Sequence, residues 1–212
     1  MQGERLTVAS FSLSPATLGV IHGKLIAAVD EMAIITARTS MSPVIYEVLD
    51  YACGICRADG DLIAQANGIT LFTGTFSDQV RFIMRRFGND MAPGDAFITN
   101  DPYEGGTHAC DMAVIKPIFH DGRLMAFAIN VAHWLDVGGA VPGSIPVDAT
   151  SVFQEGLRLS GIRLACNDTL LPDVVTIISE NVRLSALALG DLRAQRASVQ
   201  RAATRIEEVI TD

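Results

Sequence analysis

Met112-Ala-Val-Ile-Lys-Pro-Ile-Phe119, His120-Asp-Gly122 and Arg123-Leu-Met-Ala-Phe-Ala-Ile-Asn-Val-Ala132 form two apolar runs joined by three turn residues. Each run is rich in β-compatible side chains and long enough to be a buried strand. Asp121-Gly122 supplies the positive φ angles that a tight turn needs. The stretch therefore reads as an antiparallel hairpin, with His120 as an exposed turn residue.

The same reading extends outward. Residues 51–56 and 62–66 flank Asp59-Gly60 as a second hairpin, and residues 96–99 form a further buried strand. Ser14-Pro15 has the form of an N-cap followed by proline at the first helical position. Apolar residues then recur at helical spacing to about Arg38: Leu18, Ile21, Leu25, Ala28, Val29, Met32, Ile35. Residues 77–87 fit a short amphipathic helix. Residues 170–181 and about 185–211 are also helical in pattern. The last helix carries Arg193, Arg196, Arg201 and Arg205 among alanines and leucines, and its moderate apolar stripe suits an exposed or subunit-contacting helix. The glycine- and proline-rich stretch 137–146 is too long for a simple turn and reads as a loop that shapes a site. The expected architecture is α+β, one domain over residues 1–212. A hairpin-built, largely antiparallel sheet packs with helices, of which the N- and C-terminal ones are long.

Composition narrows the function classes. Of the 212 residues, 49% are hydrophobic and 19% charged, enough to bury a core. The net charge of -8 argues against nucleic acid, whose phosphates need a basic face. No apolar run reaches the length of a membrane span, and residues 1–5 lack the basic-then-apolar pattern of a signal peptide. Cys53-Gly-Ile-Cys56 has the spacing of a metal or redox pair, but on a strand these residues point to opposite faces, so they read as structural thiols. Nothing in the cysteine usage calls for an oxidising compartment, and the expected location is the cytoplasm.

Two segments share one spacing, His108-Ala-Cys-Asp111 and His133-Trp-Leu-Asp136. The first enters the hairpin and the second leaves it, so strand pairing brings both to the hairpin's open end. Imidazole and carboxylate together are ligands for zinc, manganese or iron. Spacing alone nominates two matching His/Asp pairs for one divalent ion. A hydrogen-bonded His–Asp pair that merely caps a loop is the alternative.

Thr99-Asn-Asp-Pro-Tyr-Glu-Gly-Gly-Thr-His-Ala-Cys-Asp111 closely resembles the signature loop of the hydantoinase B/oxoprolinase family. The resemblance continues through Lys116-Pro-Ile-Phe-His-Asp-Gly-Arg-Leu124, Ala132-His-Trp-Leu-Asp-Val-Gly-Gly139, Pro142-Gly-Ser-Ile-Pro146, Phe153-Gln-Glu-Gly-Leu-Arg-Leu159 and Gly190-Asp-Leu-Arg-Ala-Gln195. Upstream, Ser42-Pro43 and Glu47-Val-Leu-Asp-Tyr-Ala-Cys53 also match. Family B-type chains are longer, and this sequence corresponds to their N-terminal third.

The resemblance implies a metal-binding B-type subunit, or part of one, that opens a cyclic amide such as hydantoin or 5-oxoproline in an ATP-dependent hetero-oligomer. ATP is bound by an A-type partner. The implied ligands of one divalent ion are Asp50, His108, Asp111 and His133, with Asp136 orienting an imidazole. Asn100 and Asp101, with the pairs Gly105-Gly106 and Gly138-Gly139, are the implied substrate contacts, the glycines letting backbone approach a small molecule closely. Related large subunits carboxylate ketones, which gives a second reading. A non-catalytic assembly module is the third.

Overall fold

The computed structural model describes residues 13–66 and 68–211, so the reading of residues 1–5 lies outside them. Helix α1 (Pro15–Thr39) begins where Ser14 Oγ accepts a hydrogen bond from the Thr17 N–H at 3.0 Å. A single turn, α2 (Pro43–Tyr46), leads into β1 (Tyr51–Arg57) and β2 (Leu62–Gln65). After α3 (Thr70–Thr73) and α4 (Phe76–Phe87) come β3 (Ala96–Thr99), β4 (Asp111–His120) and β5 (Arg123–His133). The chain continues through β6 (Ile162–Cys166), β7 (Thr169–Leu170), α5 (Pro172–Asn181) and α6 (Ser185–Thr211).

The seven strands make one sheet in the order β2-β1-β5-β4-β3-β6-β7, with every neighbouring pair antiparallel. The β4–β5 hairpin is its centre, and Asp121 and Gly122 adopt φ of 50° and 73° at its turn. Helices cover both faces. On one side α1, α5 and α6 pack against Cys53, Ile55, Met112, Val114, Ala128 and Ala132. On the other, α3 and α4 bury Phe72, Phe76, Val80 and Ile83 against Cys56, Ile115, Phe127 and Ile129. A sheet covered on both faces needs apolar side chains at both parities, which is why the central strands read as continuous apolar runs. Cys53 and Cys56 lie in different cores, both as free thiols.

Two readings change. Helix α6 is not an exposed arm: it lies against the central strands and buries ten residues. Its buried stripe contains Gly190, Asp191, Ala194, Gln195 and Ser198, so small and polar residues disguise it as a surface. The polar ones are satisfied. Gln195 donates to the carbonyls of Met112 (2.7 Å) and Asn130 (3.2 Å) and accepts from Trp134 Nε1 (2.9 Å). Asp191 accepts from the N–H groups of Met41 (2.7 Å) and Ser42 (3.1 Å). The α6 arginines fall on its other side, where Arg201 and Arg205 clamp Glu31 of α1. The helical stretch expected from residue 170 begins at Pro172, because Thr169 and Leu170 pair back onto β6.

Candidate metal centre

Strand register builds the site. Asp111 is paired with His133 across β4 and β5. On the other side of β5, Tyr51 is paired with Ala132, and the His133 N–H donates to the Asp50 carbonyl at 3.0 Å. Asp50, His133 and Asp111 thus form one row across three neighbouring strands. His108 joins them through the turn before β4, closed by the Asp111 N–H donating to the His108 carbonyl at 3.0 Å. Leu49, at φ 61°, holds an uncommon left-handed conformation immediately before Asp50.

Asp111 is the hub, and it is 1% exposed. Its Oδ1 lies 2.7 Å from His133 Nδ1, and its Oδ2 lies 2.7 Å from His108 Nδ1. Oδ2 also accepts from the His108 backbone N–H at 2.9 Å and from the Thr107 hydroxyl. Burial pushes the Asp111 carboxyl up, but the hydrogen bonds from His133, Thr107 and His108 outweigh it and hold the pKa below its ordinary value. For His133, burial opposes the charge, and the hydrogen bond to Asp111 prevails and raises the pKa. Asp50 is raised by burial; His133 works against this, and the Asp111 charge adds to it.

Among the described residues no group of three or more His, Cys, Asp or Glu side chains is arranged to hold a metal ion; the two Asp111 oxygens each face an imidazole nitrogen. The donor chemistry nevertheless suits a divalent cation. Two carboxylates and two imidazoles lie at one strand end, where burial raises the Asp50 carboxyl and the charges of His133, Asp111 and His108 all reach it.

The other expected site residues are committed to loop structure. Asn100, fully buried, donates to the carbonyls of Ala109 (2.5 Å) and Leu157 (2.8 Å) and accepts from the Leu159 N–H (2.7 Å). Asp101 accepts from the Tyr103 N–H at 3.0 Å. A Cβ at Gly105 would meet Asp78 Cβ at 2.9 Å, and one at Gly106 would meet the Asp101 carbonyl at 2.7 Å. Gly138 (φ 82°) and Gly139 lie against the Asn181 and Glu155 carbonyls, the first closer to an added Cβ than the second. The chain itself, mostly its backbone, is what approaches these four glycines.

Asp136 has a different task from the expected one. Its Oδ1 accepts from Gly138 N–H (2.8 Å) and its Oδ2 from Gly143 N–H (2.9 Å) and Arg183 Nη1 (2.8 Å). Burial pushes its pKa up, and these donors bring it below the ordinary carboxylate value. No imidazole is among its hydrogen-bond partners; it folds the 137–144 loop. Ser144 Oγ assists, accepting from Val137 N–H (3.0 Å) and Gly139 N–H (2.8 Å). Arg183, Ser144 and Thr107 were not singled out in the sequence. Thr107 stands inside the quoted loop, whereas Arg183 is remote and carries no local signal.

Known proteins agree with this architecture. The hydantoinase B/oxoprolinase family model matches residues 14–212. The chain is 32% identical over 184 residues to caprolactamase subunit beta of Pseudomonas jessenii, a match covering 87% of this chain and 32% of that one. It is 29% identical over 208 residues to 5-oxoprolinase of Dictyostelium discoideum, covering 98% of this chain and 16% of that one. The crystal structure of the ATP-dependent caprolactamase from Pseudomonas jessenii superimposes with a TM-score of 0.90 at 29% identity, covering 95% of this chain and 35% of that one. Nucleotide-free acetone carboxylase superimposes with a TM-score of 0.84 at 26% identity, covering 93% of this chain and 26% of that one. The chain thus spans about a third or less of these relatives. Matched over residues 14–212, the chain belongs to the hydantoinase B/oxoprolinase family.

Proposed function

We propose that this chain is the metal-binding B-type part of an ATP-dependent hydrolase that opens a cyclic amide, working with an ATP-binding A-type partner. The carrying observation is the Asp50–His133–Asp111 row, joined by His108 through Asp111. Those four side chains are the proposed holders of one divalent ion, zinc, manganese or iron. When bound, such an ion supplies Lewis-acid polarisation of an oxygen and a lowered pKa for a coordinated water. Asp111 fixes both rings, and Asn100, Asp101 and Asp136 hold the loops, with their paired glycines, around them.

In the proposed reaction, ATP on the partner phosphorylates the amide oxygen. Water then adds to the carbonyl carbon, the ring C–N bond breaks, and the nitrogen leaves as an amine while phosphate is released. The products are ADP, phosphate and the ring-opened acid, an amino acid from a lactam or an N-carbamoyl amino acid from hydantoin. Support comes from the relatives named caprolactamase and 5-oxoprolinase. The likeness to acetone carboxylase favours a second reading, ATP-dependent carboxylation of a ketone. The test is mass spectrometry of products from the chain co-expressed with its A-type partner and given ATP with hydantoin, caprolactam or 5-oxoproline. The ring-opened acid is expected, carbamoylated in the case of hydantoin. ATP turnover that needs bicarbonate and a ketone, with no amide opened, would instead establish the carboxylase reading.

A further inference from the structure

Gln195 stands on α6, behind the sheet as seen from the His/Asp row. Side chains alternate along a strand. Ala113 and Val131 pack into the core under α3 and α4, so Asp111 and His133, two residues from them, face that side. Met112, Ala132 and Trp134 pack into the opposite core, under α6. From there the Gln195 amide reaches both strand ends. Its Nε2 donates to the carbonyl of Met112, which follows Asp111, at 2.7 Å, and to the Asn130 carbonyl on β5 at 3.2 Å. Its Oε1 accepts from the indole of Trp134, which follows His133, at 2.9 Å.

The place needs such a tie. The β3 pairing stops at Thr99, opposite Ala113, so at Asp111 strand β4 has a strand neighbour on one side only. Strand β5 ends at His133. Outside the pair, the Trp134 N–H donates to the Cys110 carbonyl at 2.8 Å. Strand ends held by little else open at low cost. A displacement of about 1 Å is enough to break the 2.7 Å bond between His133 Nδ1 and Asp111 Oδ1.

Core packing alone does not call for a glutamine here. Gln195 and Trp134 are both fully buried. An apolar pair of similar volume fills such a space at little cost, whereas a buried polar pair is costly whenever one partner is missing. The polarity of Gln195 is directed at the two strands that carry Asp111 and His133. Resting on the metal-centre reading above, we propose that Gln195 is a positioning residue: it locks the ends of β4 and β5 from behind, so that Asp111 holds the His133 ring ready for a divalent ion.

The experiment compares the native chain with Gln195→Met, with the double variant Gln195→Met/Trp134→Phe, and with Val199→Ala. Val199 is buried on the same helix and has no polar atom in its side chain, so Val199→Ala loosens packing only. The double variant leaves no indole N–H without a partner, and it carries the test if Gln195→Met does not fold. In proton NMR with a chelator present, the imidazole proton between His133 and Asp111 gives a downfield resonance sheltered by the burial of His133, whereas that of the exposed His108 exchanges with water. The resonance is expected to vanish in both Gln195 variants and to persist in Val199→Ala. With Mn²⁺ and Zn²⁺ as calorimetric probes, affinity is expected to fall ~10-fold in both Gln195 variants and by less than ~3-fold in Val199→Ala. A native chain without the resonance, a resonance that persists in the double variant, metal affinity within ~3-fold of native there, or equal losses in Val199→Ala each overturn the positioning role and leave the metal centre standing. A native chain that binds neither ion overturns the metal centre, and the resonance then decides the positioning role by itself.

Discussion

Replacing Asp111 with Asn removes one charge and almost no volume, so it isolates the hub from the packing around it. The native carboxylate accepts from two imidazoles, one backbone N–H and one hydroxyl. An amide presents one oxygen and one NH₂, so either His133 or the Thr107/His108 side meets a donor where it had an acceptor. His133 is only 15% exposed, and its charge-assisted bond to Asp111 contributes about 2 kcal/mol. On the other side His108 is 66% exposed and adds little, while loss of the acceptor for its backbone N–H costs about 1 kcal/mol. Because the amide keeps one oxygen, one side or the other is lost, and the cost is about 1–2 kcal/mol. For 212 residues that corresponds to a fall in Tm of roughly 2–8 °C. The assay is differential scanning calorimetry at pH 7 with a chelator present, so that no ion contributes. Asp121→Asn, at an exposed turn that tolerates Asn, is the control and should shift Tm by less than ~1 °C. A drop below ~2 °C for Asp111→Asn would refute the claim that this carboxylate organises the row.

Glu31 is held at a pKa of about 2, against an ordinary 4.5, by hydrogen bonds from Arg205 and Arg201, which outweigh burial. Its contribution is therefore complete above pH 4.5 and lost as pH falls toward 2. Because all three side chains are about a third exposed, Glu31→Gln should cost no more than ~1 kcal/mol at pH 7 in thermal melts, with the difference shrinking in high salt and at low pH. Gly138→Ala, at positive φ with the new Cβ 1.9 Å from the Asn181 carbonyl, should destabilise by ~3 kcal/mol or more in urea titrations. Gly122→Ala, at φ 73° in open space, should cost only ~1 kcal/mol by the same measurement. Burial pushes the thiols of Cys53, Cys56 and Cys110 to about 12, so a thiol reagent at pH 8 should modify native Cys166 first and the other three only on unfolding.

The sequence carries the β4–β5 hairpin plainly, because both signals for it are local: apolar runs and an Asp-Gly turn. The pairing of His133 with Asp111 follows from that hairpin alone. Asp50 is different. Nothing near it announces that β1 lies beside β5, and only the family resemblance placed it at the site; the register then put its backbone next to His133. Strands β6 and β7 escaped because their turn, Asn167-Asp168, uses left-handed φ of 48° and 57° without a glycine. Helix α6 looked exposed because periodicity weighs Asp191, Gln195 and Ser198 as surface residues, whereas hydrogen bonds make them tolerable inside. The paired His-x-x-Asp spacing suggested that Asp136 mirrors Asp111. The resemblance of spacing did not carry a resemblance of environment, because Arg183, 47 residues away, captures the Asp136 carboxylate.

Metal content tests the central claim most directly. Protein purified without chelator and assayed by inductively coupled plasma mass spectrometry should carry one divalent ion per chain. His108→Ala and Asp50→Asn should each lose most of it, with circular dichroism unchanged. A native chain without metal, or variants that keep the full amount, would contradict the assignment of Asp50, His108, Asp111 and His133 as its holders.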